Sequence, residues 1–438
     1  MFQMTTRRTV LAAFLFCALL FVACGDDDSS FVPDGSTEPV ITPEEPADPD
    51  SIVEPDSIAE PDTTTKDTVK ADTTAPEDTT KADTTAEDSS SLRISMQGLG
   101  APSSNLYLSY PADSFLTKFE IGDIVTVAIV GHDTLDMPVV ENSNDVPIAW
   151  FLVSAIAGAD YVSLAVHNGQ FNEIFGITDT NEIVNVVVSM KEKGGFLFGL
   201  DMRYAQYMSG NIESYPELSV EEYANFREIR TRGMGEKKLY RSSSPIDDCL
   251  GRNLYADSLA KNAGVATFIN LTDSEDYAKT YRDYDSSYYA TQNAIYLSLP
   301  VEFYSRNFKD GIVRGFRFMI EHEGPYLVHC IYGMDRTGFT LAILEALMGA
   351  KTEEIQADYA KTFSNYFNVV DGKHVTYTEQ QVDFFKEVVT KNLRSVYHND
   401  GIEVLDADDI DWATPTEQFL EKQGMTKEEI AALKDRLK

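Results

Sequence analysis

Cys330 and Arg336 are the residue pair in this sequence best able to do chemistry, because five residues, Ile331 to Asp335, separate a thiol from a guanidinium in "YLVHCIYGMDRTGF". The thiol follows an apolar, strand-like run, and Thr337-Gly338 opens a strongly apolar helical stretch. A turn between a buried strand and a helix start gathers backbone N–H groups at the positive end of the helix dipole, a cradle suited to a tetrahedral anion. Gly333 supplies the backbone freedom for such a turn. Arg336 has the planar fork that grips two oxyanion atoms at once. The same field favours thiolate: a free cysteine has a pKa of about 8.5, and electropositive sites lower it to about 3.5–7.5. A thiolate aimed at phosphorus, among donors that match developing charge, is a nucleophile for phosphoryl chemistry.

Those positions must be held by strands and helices, and the surrounding pattern provides them. "KKLYRSSSP", "VATFINLTDSEDY", "AIYLSLP" and "YLVHC" read as strands running into loops. From Phe308, the residues Ile312, Phe316, Met319 and Ile320 fall on one helical face. "TGFTLAILEALMGA" is apolar on nearly every side, as a central helix would be, with Gly349 as its stop. Thr426 and Glu429 form a capping-box pattern at the start of the closing helix. Residues 215–438 are therefore expected to form an α/β domain whose central sheet is flanked by helices.

Residue by residue, the loop resembles the signature of the Cys-based protein-tyrosine phosphatase superfamily, HCx5R followed by Ser or Thr. His329, Cys330, Gly333, Arg336 and Thr337 occupy its positions. "ANFREIR", "LYRSSSP", "DYAKTFSNY" and "FLEKQGMTKEEIAALKDRL" look like the bacterial branch with tyrosine and lipid phosphatase members, from about Tyr223 to Lys438. The resemblance implies a two-step reaction through a cysteinyl-phosphate on Cys330, without metal or cofactor. Arg336 and the backbone of Ile331, Tyr332, Gly333 and Met334 would bind the phosphate, Thr337 would assist thiolate departure, and His329 would orient the loop. Glu302 is the leading candidate for the acid that protonates the leaving oxygen, followed by Asp335 and then Asp273 in "NLTDSED". Met334 stands where many lipid-directed relatives carry Lys, and Asn270-Leu271-Thr272 stands where the family has Asp-Leu-Arg; Arg241 is the candidate for a compensating charge near the mouth. The substrate expectation is a phosphotyrosine protein or small phosphoester. An inositol phosphate or phosphoinositide is the alternative, and a catalytically silent phosphate-binding surface module is a second.

The rest of the chain reads differently. Arg7 and Arg8 precede an apolar run from Val10 to Ala23, too short to span a bilayer, so residues 1–23 read as a secretory signal. "FVAC" resembles the lipobox of bacterial lipoproteins, with Cys24 as the lipidated residue. This implies an exported protein anchored in the bacterial cell envelope, periplasmic or surface-exposed. From Asp26 to Ser91 twenty acidic residues face three lysines, about half of the net charge of −35, and "KADTTA" occurs twice. Residues 24–91 are thus expected to be an acidic, disordered linker. Acidity throughout argues against nucleic-acid binding. Residues 92–200 alternate in short bursts such as "DIVTVAIV" and "EIVNVVVSM", as a small all-β sandwich or barrel would, with no chemistry and no partner legible. His132 and His167 lack ligand-like spacing and read as structural. The four cysteines suggest no disulfide framework.

Overall fold

A computed structural model describes residues 93–99, 105–177, 183–204, 206–405 and 410–438. The expected signal, linker and Cys24 lie outside the described residues. All described residues belong to one compact unit.

The N-terminal bursts close into a barrel, which decides between the two all-β alternatives. Its strands are β1 Arg93–Leu99, β2 Leu106–Leu108, β3 Ile124–Ile129, β4 Thr134–Val140, β5 Phe151–Ser154, β6 Val162–Val166 and β7 Ile183–Glu192, in the closed order β1-β2-β6-β5-β4-β3-β7. Period-two patterning explains the closure. In β3, Val125, Val127 and Ile129 point inward and are buried, while the residues between them are half-buried. In β7, Val184, Val186 and Val188 do the same. Barrel strands alternate in this way because successive side chains face opposite sides. The pair β4–β5 is parallel, unlike its antiparallel neighbours. His167 is structural, its Nδ1 2.7 Å from the Val146 carbonyl, and burial pushes its imidazole pKa down.

The second element is a five-stranded sheet of order β11-β10-β12-β9-β8, built from β8 Arg227–Glu228, β9 Leu239–Ser242, β10 Thr267–Asn270, β11 Asn293–Tyr296 and β12 Tyr326–His329. The four strands from β9 to β12 pair in parallel, and β8 joins the edge antiparallel. β9, β10 and β12 are buried at every position, as strands covered by helices on both faces must be. The principal helices are α1 Asn253–Ala263, α2 Arg306–Glu321, α3 Asp335–Leu347, α4 Thr352–Tyr366, α5 Glu379–Asn399, α6 Ala413–Lys422 and α7 Lys427–Leu437. α3 is buried from Arg336 through Leu347, and α4, α5 and α6 pack around it. Gly349 ends its run with φ +84°, and Thr426 and Glu429 exchange the two hydrogen bonds of a capping box.

The barrel and the sheet are not insulated from each other. One continuous apolar cluster runs from Val127 and Leu152 in the barrel to Phe303, Phe339 and Leu344 beside the sheet. In open parallel sheets, ligand sites form outside the carboxyl ends of the strands. Here the loops after β9, β10, β11 and β12 all meet at that end.

Candidate active site

The strand β12 ends at His329, and α3 begins at Asp335. The five residues between them form the loop singled out in the sequence. Gly333 takes a left-handed backbone, φ +65°, and a Cβ there would lie 2.1 Å from the Ser242 carbonyl oxygen. Any other residue would push the loop off the end of β9.

Three successive carbonyls of the loop turn outward. Ser244 N–H donates to the Ile331 oxygen at 3.0 Å, and Asn225 Nδ2 donates to the Tyr332 oxygen at 3.4 Å. The Gly333 oxygen accepts from Arg241 Nη2 at 2.6 Å and from Asn225 Nδ2 at 3.2 Å. A trans peptide is planar, so its N–H points opposite to its C=O. The N–H groups of Tyr332, Gly333 and Met334 are thereby turned inward. Those of Gly333 and Met334 donate to no acceptor among the described residues. Such a ring of donors in front of a helix N-terminus is an anion site.

Cys330 is the first residue of this loop and is 3% exposed. Arg336, in the first turn of α3, is 5% exposed, and its Nη1 donates to the Leu299 carbonyl at 2.8 Å. Thr337 is fully buried, and its hydroxyl has no hydrogen-bond partner among the described residues. His329 is also fully buried, with Nδ1 3.4 Å from the Cys330 carbonyl and Nε2 3.4 Å from the Tyr289 hydroxyl. Burial pushes its imidazole down to about 3, so the ring is neutral at neutral pH. Ile331 packs into the core, while Tyr332 and Met334 are half-buried. Cys249 is exposed and Cys330 buried, and no disulfide joins them.

Arg241 is not where the sequence suggested. Expected near the mouth, it is fully buried in the all-buried strand β9, behind the loop, paired with Asp358 of α4 as well as with Gly333. It braces the Gly333 carbonyl from outside the loop. Arg227 joins it, with Nε 2.7 Å from Asp358 Oδ1 and Nη1 2.7 Å from Asn225 Oδ1. Asn225 and Asp358 lie in the family-like strings "ANFREIR" and "DYAKTFSNY", yet no local pattern shows their role, because it depends on partners more than a hundred residues away. Burial alone would raise the Asp358 carboxyl; Arg227 and Arg241 outweigh it and hold it below its ordinary range. Burial pulls Arg227 down to about 10, still cationic at neutral pH.

Glu345 of α3, 1% exposed, completes this network. Burial first, and the Asp358 charge second, push its carboxyl well above the usual range. Its charged form is thus disfavoured beside the Asp358 carboxylate that the two arginines hold ionised. An unfolded Glu ionises near 4.3, so above that pH the unfolded chain binds fewer protons than the native one. This contribution makes stability fall as pH rises towards the native value. Glu345→Gln, fixed neutral, is expected to flatten the decline that begins above about pH 4.3, by up to about 1.4 kcal/mol per pH unit. Urea unfolding of both proteins across that window checks this, and parallel slopes would contradict it.

The three acid candidates differ in setting. Asp335 opens α3 half-buried, and burial lifts its carboxyl up to about 6 against the opposing pull of Arg336. Both Asp273 oxygens are taken, Oδ2 by Asn270 Nδ2 at 2.9 Å and Oδ1 by the Tyr281 hydroxyl at 3.0 Å. Tyr281 also reaches Asp247 Oδ2 at 3.2 Å, so Asp273 anchors its loop. Glu302 is half-buried in the turn before α2, where its carbonyl accepts from Ser305 N–H at 2.9 Å.

No curated protein matches the chain. Among solved structures, an uncharacterized conserved protein from Thermotoga maritima is 19% identical over 21% of this chain and 35% of its own length, with a TM-score of 0.19. The chain thus spans about a third of that protein. TpbA of P. aeruginosa, solved in complex with pTyr, is 17% identical over 40% of this chain and 94% of its own, with a TM-score of 0.23. The family model described as "Tyrosine phosphatase family" matches residues 218–438, half of the chain and all of the site. On that match the chain belongs to the tyrosine phosphatase family and is a phosphatase, a hydrolase of phosphoesters.

Proposed function

We propose that the protein hydrolyses phosphomonoesters in two steps through Cys330, with phosphotyrosine as the substrate class. In the first step the Cys330 sulfur attacks phosphorus, the S–P bond forms, and the P–O bond to the tyrosine breaks. Asp335 gives its proton to the leaving oxygen. In the second, water attacks the cysteinyl-phosphate, Asp335 takes a proton from that water, and the S–P bond breaks with the Thr337 hydroxyl supporting the departing sulfur. Arg336 and the inward N–H groups hold the equatorial oxygens throughout. The observation that carries this reading is the set of three outward carbonyls, Ile331 to Gly333, which turns the loop into a ring of donors around one thiol.

Asp335 takes the acid role in place of Glu302, because a carboxyl near 6 in the first turn of α3, directly after the loop, suits proton donation close to neutral pH. The substrate reading favours a substrate that carries one phosphate group. Met334 offers no cation for further phosphates, and Arg241 points away from the mouth. We further propose that the chain is exported and anchored through a lipid on Cys24, a reading that rests on the sequence of residues 1–91.

The test is a substrate panel with a chelator present. Phosphotyrosine peptides and p-nitrophenyl phosphate are expected to be cleaved and vanadate to inhibit. Inositol phosphates cleaved while phosphotyrosine is ignored would reverse the substrate assignment, and no turnover on any phosphoester would remove the proposal.

A further inference from the structure

The barrel has no part in the reaction as written, yet it touches the segment that holds Arg336. Residues 297–305 link β11 to α2. Leu297 N–H donates to the Asn270 carbonyl at 2.9 Å and Leu299 N–H to the Leu271 carbonyl at 2.8 Å, so the segment starts on the exit of β10. Leu299 then supplies the carbonyl that receives Arg336 Nη1. A Cβ on Gly311 of α2 would sit 2.1 Å from Leu299 Cδ2, so the helix presses closely on this residue. Farther along, the Phe303 ring stacks on Phe339, three residues beyond Arg336, at 4.3 Å and 6° between planes.

The next side chain leaves the α/β part. The Tyr304 hydroxyl donates to the Ala149 carbonyl at 3.0 Å, and its ring lies 5.6 Å from Phe151 of β5. Tyr304 is 7% exposed and Ala149 1% exposed. Ala149 adopts a left-handed backbone, φ +67°, which is uncommon for a residue with a Cβ and persists where surrounding contacts require it. The following residue, Trp150, packs against Phe384 of α5, with the Lys391 ammonium 3.4 Å from its ring centre. Three consecutive barrel residues therefore clasp two elements of the catalytic part. One of these elements is five residues from Leu299, and the other packs against α3.

A spacer would need none of this. We propose that Tyr304 is a positioning residue and that the barrel is part of the catalytic scaffold. Acting through the 299–304 segment, it holds the Leu299 carbonyl where it orients the Arg336 fork. The proposal rests on the phosphatase reading of the Cys330 loop. The fork matters most when phosphorus is five-coordinate, so misplacing it weakens transition-state binding more than substrate binding.

The experiment uses the full chain. Wild-type turnover of p-nitrophenyl phosphate and its loss in Cys330→Ser come first, and failure there is failure of the phosphatase reading. Tyr304→Phe keeps the ring on Phe151 and removes only the hydroxyl. It is expected to lower kcat about ten- to hundredfold, with KM within about twofold, and to weaken vanadate inhibition by a similar factor. Phe151→Leu, changed on the barrel alone, is expected to show the same pattern more weakly and carries the test if Tyr304→Phe does not fold. A variant that merely loses folded protein would show reduced kcat at unchanged vanadate inhibition. That result in both variants, or unchanged kcat in both, would overturn the proposal.

Discussion

Serine at position 330 is expected to abolish turnover, leaving less than roughly one part in 10⁴ of wild-type kcat on phosphotyrosine peptides. The substitution keeps the size and shape of the side chain, so the loop carbonyls stay on Ser244, Asn225 and Arg241. What it removes is the sulfur nucleophile. His329 is a poor base for a serine hydroxyl: its nitrogens face the Cys330 carbonyl and the Tyr289 hydroxyl, and burial pulls its pKa down to about 3. Binding should outlast catalysis, because Arg336 and the inward N–H groups are untouched. Steady-state turnover together with phosphotyrosine-peptide binding by calorimetry checks both halves. If Cys330 were only a small buried core residue, serine would cost little activity, and retained turnover would end the mechanism proposed above.

Asp335→Asn is expected to lower kcat on phosphotyrosine by about 10²–10³, within the usual range for removing a general acid. The pH dependence is the sharper readout. A carboxyl lifted to about 6 is protonated below that value and loses its proton above it. Wild-type kcat should therefore fall as pH rises past about 6, and the fall should be absent in Asp335→Asn. p-Nitrophenol needs little protonation on leaving, so the loss should be smaller with its phosphate ester. Glu302→Gln and Asp273→Asn are expected to retain the falling limb. Its disappearance in Glu302→Gln instead would restore the order suggested by the sequence.

Much of the α/β part was legible because its signals are local. Cys330, Gly333 and Arg336 lie in one turn, and strands such as Thr267–Asn270 are short apolar runs bounded by turn residues. The all-round apolar helix at Asp335–Leu347 could only be central. In the barrel, β3 and β7 alternate cleanly, whereas β4 and β5 were not read. β4 is exposed at one end and fully buried at the other, contains Pro138, and pairs in parallel with a four-residue strand. Neither shows the period-two pattern. Arg241 was misplaced because a strand buried on both faces gives no sequence sign of where a cation on it would go. The Tyr304 contact with Ala149 spans 155 residues and was invisible for the same reason as the Asn225 contacts: only the fold brings them together.

The central claim is that one sulfur sits at the mouth of a ring of inward N–H groups completed by Arg336. Crystals grown with vanadate test it most directly. The account predicts vanadium bonded to Cys330 Sγ, its oxygens receiving hydrogen bonds from the N–H groups of Tyr332, Gly333 and Met334 and from Arg336. Vanadium bound elsewhere at inhibitory concentration, with the loop empty, would contradict it.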